Sequence, residues 1–247
     1  MVEAVQRAQA GGVRVGYATG RMAAAVRSLH AQLAAVGPHV VHNGAQVRTD
    51  GEVLASWPLG AERARLLLEL CRSEGWYCEF YVGDGYLVTD RRPEAAVHWH
   101  MLFQDPAGTA DELAPDAEVV KASLLVFAYE DLAYVLSTLG AHGFAVGVAS
   151  SPAAPDVAFV NVTSPEADKG RAIAHAAAHI GVGLDEVGAI GDGLNDLTMF
   201  AVVGTAIAMG QAPADVKAAA HLIVPEVAAH GVAHALDACV DWLQSSA

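Results

Sequence analysis

Hydrophobic positions in residues 1–47 recur in two periods. Val2 and Val5 lie at helical spacing, and Gly11-Gly12 stops the helix they predict. Val13-Arg14-Val15-Gly16-Tyr17-Ala18 is a short strand with an apolar bias. Met22, Val26, Leu29, Leu33 and Val36 fall on one face of an amphipathic helix, which Gly37-Pro38 ends. His39-Val40-Val41-His42 is a second strand, closed by Asn43-Gly44. Strand, helix and strand with tight connections are the grammar of a parallel sheet wound by helices.

The pattern changes in the middle of the chain. Asp50-Gly51, between Ala45-Gln46-Val47 and Val53-Leu54, signals a hairpin. Residues 62–74 read as a helix with Leu66, Leu67, Leu70 and Cys71 on one side. Strands over 76–82 and 86–89 flank the turn Gly83-Asp84-Gly85. Residues 91–116 carry three prolines and no period, and read as irregular. A strand at 119–127, a helix at 131–142 and strands at 144–149 and 157–162 complete an α+β layer.

After Pro165 the alternation returns. Helices are expected at 169–180, 195–200, 213–220 and 232–243, and strands at 187–190, 205–209 and 222–224. The outer segments share a pattern that the middle lacks. The expected fold is therefore α/β: a Rossmann-like core from residues 1–47 and 164–247, with an α+β domain inserted at 48–163.

Composition narrows the partners. The chain of 247 residues holds 28 acidic and 14 basic side chains, a formal net charge of −14. No broad basic surface exists for nucleic acid or an anionic membrane. No apolar run reaches the ~18–20 residues of a spanning helix, and residues 1–7 do not read as a signal peptide. Cys71, Cys78 and Cys239 match no metal or redox spacing. A soluble cytoplasmic chain with reduced thiols, monomeric or homodimeric, is expected.

Three places carry chemistry. Thr19-Gly20-Arg21 leaves a strand and opens a helix, so the Thr19 hydroxyl and Gly20 amide suit an anion at a sheet's carboxyl edge. The same residues are also an ordinary helix cap. In Gly191-Asp192-Gly193-Leu194-Asn195-Asp196 a buried strand delivers two carboxylates to its end, where a cation such as Mg²⁺ suits them. A plain turn capped by Asp is the competing reading. Lys169 opens a helix against the dipole and asks for an anion, a carboxylate or a phosphate. Otherwise it is a solvated lysine. His98-Trp99-His100 puts two imidazoles on one face of a strand, without a third ligand in pattern, and reads as packing or surface histidines.

Taken in order, Ala18-Thr19-Gly20-Arg21, Asn43-Gly44-Ala45, Asp168-Lys169-Gly170, Gly191-Asp192-Gly193-Leu194-Asn195-Asp196, Ala208-Met209-Gly210 and Gly231-Val232-Ala233 resemble the haloacid dehalogenase (HAD) superfamily. The likeness is to its Cof-type phosphatases with a large α+β cap. The resemblance implies a Mg²⁺-dependent phosphatase acting on a small phosphorylated metabolite, by default a phosphosugar. Thr19 resembles the hydroxyl that binds the transferring phosphoryl group, and Lys169 the lysine that neutralises nucleophile and phosphate. Asp192 resembles the Mg²⁺ ligand and Asp196 its supporting acid. Gly20, Asn43 and Asn195 match positions around the phosphate.

The chain departs from that pattern at its start. The family's Asp-x-Asp-Gly-Thr supplies the nucleophile and the general acid/base, yet the sequence contains no Asp-x-Asp. By usual element lengths roughly 25–35 residues, including a first core strand, are expected upstream of Met1. A protein that lost catalysis but binds a phosphorylated ligand is the alternative, and an inactive fragment a third. A low melting temperature or low solubility is expected, since losing that strand exposes neighbouring strand edges. Ala229 and His230 stand where relatives carry acids, which thins the acidic surroundings of the metal. Gln211 stands where Asn is common.

Overall fold

The computed structural model describes the chain except Asp50, Ala128, Pro152, Ser246 and Ala247. For Ser28, Tyr129, Glu130, Asp131, Gln244 and Ser245 it describes the backbone alone. Helix α1 (Val2–Ala10) buries Ala4, Val5 and Ala8 and stops where Gly12 turns to φ +93°. Residues 13–18 run extended. Instead of a full strand they form one parallel bridge, Ala18 to Val40, beside hydrogen bonds from Gly37 N to Val15 O and from Val40 N to Tyr17 O. Helix α2 (Ala23–Leu33) buries Val26 and Leu33. Val36, expected on the same face, is 69% exposed, because Ala34 at φ 48° ends the helix first.

Strands β1 (His39–Val41), β2 (Gln46–Arg48) and β3 (Val53–Ser56) form one sheet in that order. β1 and β2 are antiparallel, with Val40 opposite Val47. Asp50 of the expected Asp50-Gly51 turn lies outside the described residues, while Thr49 N bonds Glu52 O across it.

Helix α3 (Ala61–Glu74) turns Ala64, Leu67, Leu68 and Cys71 inward, a face slightly rotated from the expected one. Strands β4 (Cys78–Val82) and β5 (Gly85–Val88) make the hairpin around Gly83 at φ 56°. The expected irregular stretch at 91–116 is partly regular. It holds helix α4 (Ala96–Leu102) and strand β6 (Gly108–Thr109). Strand β7 (Val119–Val126), helix α5 (Tyr129–Ala141) and strands β8 (Val146–Ser151) and β9 (Ala154–Val162) complete a sheet ordered β6-β5-β4-β7-β9-β8.

The period-two side chains of this sheet divide between two environments. Cys78, Phe80, Ala122, Leu124, Val160 and Val162 pack with α3 and α5 around Leu67, Val135 and Leu139. The alternate set, Glu79, Tyr81, Lys121 and Ser123, is also buried but polar. Glu79 accepts hydrogen bonds from Tyr77 (3.2 Å) and Tyr81 (2.6 Å), and pairs with His98 Nδ1 at 2.9 Å. Trp99 Nε1 donates to the Tyr77 hydroxyl at 2.7 Å. Lys121 Nζ lies 4.3 Å above the Tyr81 ring. The two imidazoles expected on one strand face are therefore on a helix. His98 is buried against Glu79, and His100 Nδ1 turns back to the carbonyl of Ala96.

Helix α6 (Lys169–His179), strand β10 (Gly188–Gly191), helix α7 (Leu197–Phe200), strand β11 (Thr205–Met209), helix α8 (Ala214–Ala218), strand β12 (Leu222–Val224) and helix α9 (Gly231–Ser245) close the chain. The sheet β10-β11-β12 is parallel throughout. Met199, Phe200, Ala206, Ala208 and Val216 pack together beside it. Leu236 of α9 packs on Val5 and Ala8 of α1.

The described chain falls into two compact units. One takes residues 1–20, 27–55 and 168–247, and the other residues 21–26 and 56–167. Among the described residues no helix is long and apolar enough to cross a membrane.

Candidate active site

Strand β10 ends at Gly191, and the chain turns at once through Asp192 and Gly193. The turn needs glycine for space. A Cβ on Gly191 would lie 2.6 Å from Asp196 Oδ2, and one on Gly193 2.6 Å from Asn195 Oδ1. A 3-10 turn over residues 194–196 brings the Asp196 carboxylate back beneath the loop. Its Oδ2 accepts from the backbone N–H of Asp192 and of Gly193, both at 2.9 Å. Its Oδ1 accepts from Lys169 Nζ at 2.5 Å. Both side chains are 6% exposed.

That pair answers the question Lys169 poses. A cation in the first turn of α6 faces the positive end of the dipole. Asp196 supplies the compensating carboxylate, and Asp168 caps the helix by accepting from Arg171 N at 2.9 Å. It also revises the expectation that Asp196 and Asp192 converge on a cation. Both oxygens of Asp196 are engaged by Lys169 and the loop amides, so Asp196 shapes the loop and holds the lysine.

A left-handed turn after β1 positions the asparagine. His42, Asn43 and Gly44 take φ of 54°, 60° and 96° in succession. Gly44 is required there twice over, by its φ and because a Cβ would lie 2.3 Å from the Asp168 carbonyl carbon. The turn thus sets Asn43 beside the start of α6. Asn43 N donates to Thr19 O at 3.1 Å, and Asn195 Nδ2 donates to Asn43 Oδ1 at 3.0 Å. Gly20 lies so close that a Cβ would be 2.6 Å from Asn43 Oδ1. Thr19 N donates to Val40 O. Helix α2 begins only at Ala23, so neither Thr19 nor Gly20 directly precedes it. The anion-binding reading of Thr19 and Gly20 therefore rests on loop groups rather than on a helix end.

Contacts thus link Thr19, Gly20, Asn43, Lys169, Asp192, Asn195 and Asp196 into one chain of neighbours. Asp192 is exposed, and its Oδ2 accepts from Gln211 Nε2 at 2.9 Å. This contact was not legible in the sequence, where Gln211 stood out only as a departure. Its signal was its position two residues past the carboxyl end of β11.

Among the described residues no three His, Cys, Asp or Glu side chains form a metal cluster. A hard divalent cation of magnesium's habit still fits. Such an ion is held by one or two carboxylates, with water and substrate phosphate completing its shell. Asp192 offers one carboxylate at an exposed strand end, beside a buried lysine and two carboxamides.

The haloacid dehalogenase-like hydrolase family model matches residues 1–236. The chain belongs to this family. Phosphatase YwpJ of Bacillus subtilis is 27% identical over 94% of the chain and 89% of its own length. A haloacid dehalogenase-like hydrolase from Bacteroides thetaiotaomicron superposes with a TM-score of 0.81 at 26% identity, covering 96% of this chain and 90% of that one. The HAD subclass IIB sugar phosphatase BT4131 superposes with a TM-score of 0.78 at 25% identity, over 96% and 89%. The α/β fold class and the HAD resemblance read from the sequence stand, and the chain is a hydrolase by family.

Proposed function

We propose that this HAD hydrolase is a cytoplasmic, Mg²⁺-dependent phosphoric monoester hydrolase acting on a small phosphorylated metabolite, phosphosugar-like. The observation that carries the reading is the buried Lys169–Asp196 pair, joined through the 192–196 loop to Asp192 and through Asn195 to Asn43. Phosphoryl transfer needs positioning and positive charge on the equatorial oxygens more than covalent chemistry. Lys169 supplies a cation held rigidly by Asp196. The Thr19 hydroxyl, the Gly20 amide and the Asn43 and Asn195 carboxamides orient the phosphoryl group. Asp192 is the residue that holds Mg²⁺. When bound, the ion neutralises phosphate charge as a Lewis acid. The insertion at 48–163 is the cap that selects the ester.

The attacking group in this reading is a carboxylate upstream of Met1, since no Asp-x-Asp occurs in the 247 residues. It attacks phosphorus, expels the alcohol and forms an aspartyl-phosphate, which water hydrolyses. Release of phosphate from an aryl phosphate tests this. The chain extended upstream through an in-frame Asp-x-Asp-Gly-Thr turns over with Mg²⁺, and the 247-residue chain does not. Full activity in the 247-residue chain overturns the upstream nucleophile.

The absent Asp-x-Asp favours a second reading, a non-catalytic binder of a phosphorylated ligand, monomeric or homodimeric. Calorimetry with sugar phosphates separates the two. Tight binding that ignores Mg²⁺ supports the binder, and binding that requires Mg²⁺ supports the enzyme.

A further inference from the structure

We infer that Gln211 is a positioning residue that fixes the Asp192 carboxylate for its cation and ties it to the turn at 226–231. The inference rests on the proposed cation role of Asp192. Gln211 sits in the loop between β11 and α8. Its Nε2 donates to Asp192 Oδ2 at 2.9 Å, and its Oε1 accepts from Val227 N at 3.2 Å.

The orientation of the amide follows from its partners. A backbone N–H can only donate, so the oxygen faces Val227. A carboxylate can only accept, so the NH₂ faces Asp192. With Oδ2 occupied by a neutral donor, Asp192 cannot swing freely, and Oδ1 is the oxygen left to meet a cation. Hydrogen bonds of this kind to a ligating carboxylate typically carry 10–100-fold in metal affinity.

The bridge is also anchored on both sides. Gly210 packs so closely on residues 225–226 that a Cβ would lie 2.7 Å from Glu226 N, and one on Gly231 would lie 1.8 Å from Pro225 O. Gly210 thus seats its loop against residues 225–226, Gly231 closes that turn on itself, and the Gln211 side chain spans from Val227 to Asp192. Asparagine is one methylene shorter, so it cannot span from Val227 N to Asp192 Oδ2 without moving a loop.

The test is binding of Mn²⁺, read by electron paramagnetic resonance on the full 247-residue chain, with melting temperature recorded in parallel. Gln211→Met keeps the length and removes both hydrogen bonds. Gln211→Glu keeps the acceptor for Val227 N and removes the donor to Asp192. The expected result is Mn²⁺ binding weakened about tenfold or more in Gln211→Met, with no Mn²⁺ binding in Asp192→Asn. In Gln211→Glu the melting temperature is unchanged, yet the Mn²⁺ signal differs from the unsubstituted chain.

The outcomes separate the two claims. Mn²⁺ binding unaffected by Asp192→Asn, or absent from the unsubstituted chain at millimolar metal, overturns the cation site and the inference with it. Binding lost in Asp192→Asn but unchanged in both Gln211 variants overturns the inference alone. A fall in melting temperature with unchanged Mn²⁺ affinity assigns Gln211 a structural tie only, and likewise overturns it.

Discussion

Lys169 and Asp196 are each nearly enclosed, so neither charge can fall back on water. Removing one partner of such a pair strands the other, at a typical cost of about 3–5 kcal/mol. Lys169→Met is expected toward the lower end, since two backbone amides still hold Asp196 Oδ2. Urea unfolding of Lys169→Met, Asp196→Asn and the double variant checks this. A strongly non-additive cycle is predicted, with the double variant better than the sum.

Lys121 is a second buried cation, outside that site. Burial pushes its ammonium down from the usual 10.5 to about 8, against the opposing pull of Glu79. Below pH 8 both folded and unfolded chains hold the proton. Between pH 8 and 10.5 the unfolded chain binds it and the folded chain does not, so stability attributable to Lys121 rises with pH. Burial raises Cys78, Tyr77, Tyr81 and Tyr86, which act in the opposite sense above pH 9 or 10. Comparison with Lys121→Met cancels those groups. The unsubstituted chain is expected to gain on the variant across pH 8–10.5, on the order of 3 kcal/mol at 1.4 per unit. A pH-independent difference contradicts this.

At the scale of elements, α4 shows where pattern reading failed. Its seven residues, Ala96 to Leu102, are too few for a period to emerge. Prolines at 93, 106 and 115 hid it further, although Pro93 in fact opens the turn leading into it. What holds α4 is tertiary: the His98–Glu79 and Trp99–Tyr77 bonds, which no local pattern predicts. His98→Leu removes a partner of a buried carboxylate and is expected to cost about 1–3 kcal/mol, with faster hydrogen exchange in α4. His100→Ala, on the exposed side, is expected within about 0.5 kcal/mol. The longer elements were legible because length lets periodicity show. The strand expected at 119–127 is β7, and the helix expected at 169–180 is α6. The β1–β2 pairing was not, since antiparallel return after Asn43-Gly44 depends on a left-handed turn rather than on apolar spacing. That turn also carries a test. Gly44→Ala forces a Cβ against the Asp168 carbonyl and is expected to cost at least about 1–3 kcal/mol of strain. If the proposed phosphate site is right, the same substitution is also expected to weaken phosphate binding by displacing Lys169, which denaturation and calorimetry on one sample would check.

For the whole molecule, the ordered motifs from Thr19 to Gly231 made the family legible, because each lies at a strand end or helix start where spacing is constrained by the fold. The Asp192–Gln211–Val227 bridge was not legible, since its partners lie far apart in sequence and only packing brings them together. Among the described residues β10 pairs on one side, with β11. On the proposed reading an added upstream strand covers that edge, and the melting temperature of the extended chain is expected to rise by roughly 2–4 °C for each kcal/mol it contributes. An unchanged, sharp melt contradicts that expectation.

The most direct measurement is a calorimetric titration of the 247-residue chain with inorganic phosphate, with and without Mg²⁺. It is repeated on Lys169→Met and Asp192→Asn after circular dichroism has shown both folded. Phosphate binding that requires Mg²⁺ and is lost in both variants is the predicted result. Binding that is equal in all three proteins, or absent from the unsubstituted chain, contradicts a phosphate cradle built on these two side chains.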